Sequence, residues 1–308
     1  MRRPPWTITA VATSVAVVAV SFSLAGCRSV AQQRSGGPLP VAASIDAWGN
    51  VLAQLGGTQV RATSIISNPN TDPHDYEPTP ADARTIADAA VFVENGVGYD
   101  AWAAKAVAAD RSAHRQVVDV GTVTRTPADG NPHRWYDPAD VRTVAAAITA
   151  ALVAAAPEHA DYFRAREQQF LGPGLASYDA LVDAIRTRYA GVPIGASESI
   201  VVPLATALGL HLVTPPTFLR AISEGTDPSS ADTATIARQI ADRHIAVYVL
   251  NTQNVTPDVQ RQAAAARSAG IPIVDVTETL TPAHATFQQW QVRQLTALQA
   301  ALRQATGR

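Results

Sequence analysis

Short apolar runs rich in β-branched residues alternate along the chain with alanine-rich stretches of helical periodicity. This alternation is typical of parallel sheets covered by helices, so it predicts an α/β fold. The apolar runs fall into two sets of four, at residues 41–44, 60–65, 90–94 and 117–120, and at 192–196, 210–213, 245–250 and 271–276. We therefore expect two lobes, each with a roughly four-stranded parallel sheet flanked by helices.

Helix starts are marked where a capping residue precedes a proline, because proline suits the first position of a helix. Four such pairs occur: Thr79-Pro80, Asp137-Pro138, Asp227-Pro228 and Thr256-Pro257. Between the two strand sets, the Gly172-Pro173-Gly174 break is expected to end a helix. We predict an N-terminal lobe at residues 40–173, one rigid linking helix at 174–190 and a C-terminal lobe at 191–308.

The N-terminus has the layout of a secretory signal peptide. Arg2 and Arg3 precede an apolar run at residues 7–25, and small residues stand just before Cys27. This pattern predicts a signal peptide at residues 1–26, a lipid on Cys27, a tether at 27–39 and anchoring to the outer face of the cell membrane. An uncleaved transmembrane helix is the alternative. Because Cys27 is the only cysteine, any metal must be bound by nitrogen and oxygen.

The net charge of the chain argues against nucleic acid as a partner. Removal of residues 1–26 leaves 22 basic and 26 acidic residues, a net charge of −4. Nucleic acid is therefore not an expected partner.

Two of the seven histidines lie in similar frames, DPHDYEP at residues 72–78 and NPHRWYDP at 131–138. His74 and His133 each follow a proline in a loop ahead of a capped helix, which is where α/β folds bind ligands. We interpret both as metal ligands. The alternative is a turn histidine whose ring bonds only the backbone.

Glu198 and Glu278 each follow a predicted strand of the second set, at the carboxyl edge of the sheet. Either acid could instead cap a helix or be solvated. Two imidazoles and two carboxylates would balance a divalent charge and suit manganese, iron or zinc.

Four segments give the chain a family resemblance: residues 72–80, 95–100 with Trp102, 131–138 and 225–228. From about residue 41 to the C-terminus, the chain resembles the metal-binding solute-binding proteins of bacterial ABC importers for zinc and manganese. That resemblance implies two α/β lobes, a rigid linking helix and a metal in the cleft with two ligands from each lobe.

The resemblance also implies the ligands. His74 and His133 match the first two family positions. Glu198 stands at the third, which is histidine in most zinc-type members and glutamate in several manganese-type members. Glu278 aligns with the fourth, usually an aspartate, and Asp275 is the alternative. The His-rich acidic loop of many zinc-type members is missing.

We therefore expect an exported receptor that captures Zn²⁺ or Mn²⁺ and delivers it to a membrane permease driven by an ATPase, and not an enzyme. Tyr76, Trp135 and Asp137 are expected to support the ligands, with capping and packing as their alternative roles. The rival interpretation is an exported metallohydrolase in which His74, His133 and Glu198 hold a metal with a water in the fourth place. An adhesin-like surface protein with a structural metal is a third.

Overall fold

The computed structural model describes residues 1–2, 37–68, 71 and 76–308. The expected signal peptide beyond its first two residues lies outside the described residues, as do Cys27, most of the tether and His74. The chain divides into Met1–Gly37 and Pro38–Arg308. All helices and strands described below belong to the second unit.

Within the residues that the structure describes, eight strands form two sheets. They are β1 (Leu39–Ile45), β2 (Val60–Ile66), β3 (Val91–Glu94), β4 (Gln116–Asp119), β5 (Pro193–Ala196), β6 (His211–Leu212), β7 (Val247–Asn251) and β8 (Ile273–Val276). Each predicted apolar run overlaps one of them. The predicted α/β fold with two four-stranded sheets is therefore confirmed.

The strands are parallel in both sheets, with the orders β2-β1-β3-β4 and β6-β5-β7-β8. In each sheet the chain moves to one side of the first strand and then crosses to the other. Loops leaving the carboxyl ends of the two central strands therefore diverge and leave a crevice, where open α/β sheets bind ligands. The central strands β3 and β7 are buried along their whole length, as helices on both faces require.

Twelve helices cover the sheets in the described part of the chain. They are α1 (Asp46–Gly56), α2 (Pro80–Asp88), α3 (Ala101–Ala109), α4 (Val120–Val123), α5 (Pro138–Ala155), α6 (Ala160–Gln169), α7 (Ala176–Tyr189), α8 (Val202–Ala207), α9 (Pro216–Ser223), α10 (Ser230–Ala241), α11 (Pro257–Ser268) and α12 (Phe287–Thr306).

Three of the four predicted helix starts agree with the structure, with Thr79, Asp137 and Thr256 capping α2, α5 and α11. The fourth was wrong, because α10 begins after Ser229 and not at Asp227-Pro228. The Ser229 hydroxyl accepts a hydrogen bond from the Asp232 amide at 3.1 Å. A second capping residue two positions downstream therefore supplies the N-cap.

In sequence, α7 leads to β5, the first strand of the second sheet. The Gly172-Pro173-Gly174 break lies in a short π-helix, Phe170–Gly174, which separates α6 from α7. α12 packs against both α7 and α1. One continuous apolar core includes Trp48 and Val93 of the first lobe and Val249 and Trp290 of the second. α7 therefore packs into a core shared by both sheets, and its role as the rigid linking helix stays a prediction.

Candidate metal centre

Glu198 stands two residues after β5, in extended backbone ahead of the turn Ser199–Val201. Its side chain is fully buried and does not cap that turn. Asn251 Nδ2 donates to Glu198 Oε1 at 2.7 Å, while Asn254 Nδ2 and Ser223 Oγ donate to Oε2 at 3.2 and 3.3 Å. The carboxylate is therefore oriented from both of its oxygens.

Glu278 follows β8 and is also fully buried. Asn251 Nδ2 donates to its Oε1 at 2.9 Å, and the Tyr99 hydroxyl donates to its Oε2 at 2.6 Å. The Glu278 amide donates to Gln253 Oε1 at 2.6 Å. Because Tyr99 follows β3, the first lobe contacts this carboxylate of the second lobe directly.

His133 projects from the loop after α4 and is fully buried. Asn131 Oδ1 accepts from the His133 amide at 2.9 Å and lies 3.0 Å from the ring Nδ1. Asn131 Nδ2 donates to the Ser199 carbonyl at 2.7 Å, which fixes which end of its amide is the oxygen. An acceptor beside Nδ1 keeps the proton there, so Nε2 presents its lone pair.

These three side chains converge. One donor atom from each of His133, Glu198 and Glu278 lies within 4.8 Å of the other two. His133 Nε2 is 3.8 Å from Glu278 Oε2. Asp275, the alternative fourth residue, is exposed on β8 and is not in this group. An imidazole nitrogen and two carboxylates at this spacing, drawn from both lobes, form a donor set suited to a divalent cation.

The three expected supporting residues differ in their surroundings. Trp135 is fully buried and packs its ring at 84° to the His133 ring, with a centroid distance of 5.3 Å. The Tyr76 hydroxyl donates to Asp82 Oδ2 at 2.8 Å. Asp137 caps α5, accepting from the Ala139 amide at 2.9 Å. Of the three, Trp135 is in contact with a residue of the His133, Glu198 and Glu278 cluster.

Sequence reasoning missed the hydrogen-bond donors around the carboxylates. Asn251 and Asn254 belong to the segment Asn-Thr-Gln-Asn at residues 251–254, which leaves the carboxyl end of β7. Glu198 and Glu278 were singled out because α/β folds bind ligands at the carboxyl ends of their strands, and the same argument applies to the end of β7. Tyr99 lies in a segment that carries the family resemblance, yet nothing in the sequence pairs it with Glu278.

The pKa of the Tyr136 hydroxyl responds to its burial and to the nearby carboxylates. This buried hydroxyl has one hydrogen to donate, and two acceptors, the Thr277 carbonyl and Gln294 Oε1, each lie 2.8 Å from its oxygen. Burial raises the pKa of Tyr136 far above its usual range, its hydrogen bonds oppose this, and the charges of Glu278 and Glu198 add to the rise. The hydroxyl therefore remains protonated and holds the main chain next to Glu278.

Asp46 makes a further contact between the lobes. It begins α1, and its buried Oδ2 accepts from the Leu280 amide at 2.9 Å, two residues after Glu278. Burial raises the pKa of Asp46 to about 7, although backbone hydrogen bonds act in the opposite direction. Its Oδ1 is buried without a hydrogen-bond partner. A charge at this position is therefore costly.

A cavity of about 710 Å³ adjoins the cluster and has walls from both lobes. Tyr99 and Asn131 line it from the first lobe, and Ser223 and Asn254 from the second. Each of these four side chains also hydrogen-bonds His133, Glu198 or Glu278. The cavity is thus lined in part by the groups that orient the candidate ligands.

Residues 41–301 match the family described as ZnuA, zinc-uptake complex component A, periplasmic. The chain belongs to the ZnuA family. Among curated proteins, it is 29% identical over 165 residues to the manganese-binding lipoprotein MntA of Halalkalibacterium halodurans, covering 51% of this chain and 54% of that protein. It is 28% identical over 148 residues to the iron-binding protein YfeA of Yersinia pestis, covering 46% of each. The chain spans about half the length of the curated relatives it matches.

Solved structures of ZnuA-type proteins share the fold. The periplasmic zinc-binding protein TroA of Treponema pallidum superposes with a TM-score of 0.72 at 18% identity, covering 87% of this chain and 99% of that one. A crystal structure of ZnuA gives 0.67 at 20% identity, covering 86% and 98%. At such identities the likeness establishes the two-lobed architecture alone. The ZnuA family is a class of binding proteins and not a class of enzymes.

Proposed function

We propose that this protein is an extracytoplasmic receptor that captures Zn²⁺ or Mn²⁺ and delivers it to the membrane permease and ATPase of an ABC importer. The observation that carries the proposal is the buried cluster of His133, Glu198 and Glu278, with donor atoms within 4.8 Å of one another. Two buried carboxylates this close repel each other, and a divalent cation between them offsets that repulsion.

His74 is proposed as the fourth ligand, on the strength of the family resemblance of residues 72–80. With it the site would have two imidazoles and two carboxylates, which together neutralise a divalent ion. Zinc and manganese both suit such a mixed nitrogen and oxygen set. Relatives named for manganese and for iron are consistent with a first-row metal as the cargo.

We further propose that the protein is not an enzyme. A catalytic zinc keeps one position open for water or substrate, whereas four protein ligands would fill a tetrahedral site. Both carboxylates are fully buried and accept hydrogen bonds from neutral donors, which suits them to hold charge and not to exchange protons with solvent. A hydrolase built on His74, His133 and Glu198 would need a general base as well.

Export and anchoring through a lipid on Cys27 complete the proposal. Two relatives are named lipoproteins, MntA and the metal ABC transporter substrate-binding lipoprotein FimA of Streptococcus parasanguinis. Labelled palmitate should appear on the wild-type protein and be absent from Cys27→Ala. Equal labelling of both proteins would remove the anchor from the proposal.

Titration calorimetry of the metal-free protein with Zn²⁺ and Mn²⁺ tests the binding function. His133→Ala and Glu278→Ala should each lower metal affinity by about 100-fold or more, because each removes a direct ligand. His211→Ala is the matched control, since His211 is exposed on β6. Turnover of ester or phosphoester substrates by the loaded protein, or equal affinity in wild type and His133→Ala, would contradict the proposal.

A further inference from the structure

Gln253 joins the two lobes beside the candidate site. It follows the end of β7. Gln253 Oε1 accepts from the Glu278 amide at 2.6 Å and from the Thr279 amide at 3.0 Å, both in the second lobe. Gln253 Nε2 donates to Thr279 Oγ1 at 3.0 Å and, in the first lobe, to the Thr71 carbonyl at 3.1 Å. A carboxamide has two N–H donors and two oxygen lone pairs, so each of them has a partner here.

The orientation of this carboxamide is fixed by its partners. Glu278 and Thr279 present main-chain N–H groups, which can only donate, and Thr71 presents a carbonyl, which can only accept. The reversed orientation would place the NH₂ group against two N–H donors and the oxygen against the Thr71 carbonyl. The nitrogen of Gln253 therefore faces the first lobe, and its oxygen faces the Glu278 main chain.

The two segments that Gln253 joins both belong to the candidate site or lead to it. One bond holds the main chain of Glu278 itself, whose carboxylate is a member of the buried cluster. Thr71 stands immediately before the segment at residues 72–80, which carries the family resemblance and the proposed ligand His74. A side chain that fixes the main chain at a ligand acts on the metal through that ligand, as the outer hydrogen-bond partners of metal sites do.

We propose that Gln253 is a positioning residue that ties the Glu278 main chain to the first lobe at Thr71 and so slows release of the metal. The effect on metal rests on the proposed function, whereas the tie between the lobes does not. A cation bound by both lobes leaves when the ligand segments separate, and separation at this point breaks the bond from Gln253 Nε2 to the Thr71 carbonyl. Entry of the metal into an open crevice does not require that bond. Gln253 should therefore act on the release rate more than on the association rate.

Stopped-flow transfer of zinc to an excess of chelator compares the full-length wild type with Gln253→Met. Methionine keeps the length of the side chain and removes all four hydrogen bonds of the carboxamide. The release rate should rise by about tenfold or more, while the association rate should change by less than about threefold. An unchanged release rate, or an association rate that falls as much as the release rate rises, would overturn the inference.

Hydrogen exchange of the metal-free protein separates a tie between the lobes from support within the second lobe. One peptide contains the Glu278 and Thr279 amides, and another contains Thr71, whose amide donates to the Asn68 carbonyl at 3.0 Å. Gln253→Met should speed exchange in both peptides by about fivefold. At about pH 8, Gln253→Glu is ionised, so it keeps an acceptor for the second-lobe amides but has no N–H for Thr71. It should speed exchange in the Thr71 peptide alone.

Gln239→Met is the matched control. Gln239 is also a half-buried carboxamide whose Nε2 donates to a main-chain carbonyl, that of Val213 at 2.7 Å, but both residues lie in the second lobe. This variant should leave the release rate and the exchange of both peptides unchanged.

Faster release from Gln253→Met without faster exchange in the Thr71 peptide would assign Gln253 to the second lobe alone and overturn the tie. Should Gln253→Met fail to fold, Gln253→Glu decides the question, and unchanged exchange in its Thr71 peptide would refute the tie. Wild-type protein that binds no metal would overturn the proposed function instead, and the exchange of the metal-free variants would still confirm or refute the tie.

Discussion

Replacing Asp46 by asparagine should make the stability of the metal-free protein less dependent on pH. Burial raises the pKa of Asp46 from 3.8 to about 7. Between these values the carboxyl is ionised in the unfolded chain and protonated in the folded one. The native state therefore binds more protons, and the free energy of unfolding falls as pH rises through this window. Above about pH 7 the full cost of the buried charge is present.

The magnitude follows from the change in pKa. At about 1.36 kcal/mol for each pKa unit, the cost of the Asp46 charge reaches about 4 kcal/mol above pH 7 and is about 1.5 kcal/mol at pH 5. Asparagine can still accept from the Leu280 amide. Its NH₂ group would take the place of Oδ1, which has no partner, at a cost of about 1–3 kcal/mol. Asp46→Asn should thus match wild type near pH 5 and be about 1–3 kcal/mol more stable at pH 8.

Urea unfolding followed by tryptophan fluorescence, with a chelator present, measures both proteins from pH 5 to pH 8. Asp227→Asn, at an exposed loop position, is the control and should leave the pH dependence unchanged. The free energy of unfolding of Asp46→Asn relative to wild type should rise by about 3 kcal/mol over this range. A difference that stays constant with pH would refute the argument that Asp46 is buried at a cost.

Three further predictions concern the metal site. Gln253→Ala leaves the Glu278 and Thr279 amides without their acceptor and should weaken metal binding about 10- to 100-fold, seen as faster release in stopped flow. Trp135→Phe should abolish a metal-dependent fluorescence change, because Trp135 is in edge contact with the His133 ring; an unchanged signal assigns it to another tryptophan. Affinity should fall from about pH 7.5 to 5.5, since imidazole ligands must lose their proton, and pH-independent calorimetry would contradict imidazole ligation.

Local patterns made most of the fold predictable. The apolar runs predicted all eight strands, because buried parallel strands need continuous hydrophobic residues. Proline capping predicted three helix starts and failed at Asp227-Pro228, where Ser229 offers a competing cap two residues later. The choice between Asp227 and Ser229 as the N-cap of α10 depends on the path of the backbone after α9. The local sequence does not determine that path.

The candidate site could be predicted only in part. Glu198 and Glu278 are predicted because each follows a strand at the carboxyl edge of a sheet, and the structure brings them close together. Sequence left Glu278 and Asp275 as alternatives, and alternation along β8 separates them, since Asp275 faces solvent. The bridging role of Asn251 depends on the pairing of β7 with β5, which brings together residues 53 positions apart. Such long-range pairing leaves no trace in either segment alone.

The Asn131 side chain contacts both the His133 ring and the main chain of the second lobe. One end of its amide fixes the proton on His133 Nδ1, and the other donates to the Ser199 main chain across the cleft. Movement of the Ser199 turn away from the first lobe would break this hydrogen bond and allow the Asn131 side chain to rotate. The His133 ring would then lose the acceptor that sets which of its nitrogens carries the proton. Asn131 thus couples the tautomer of one imidazole to the separation of the two lobes.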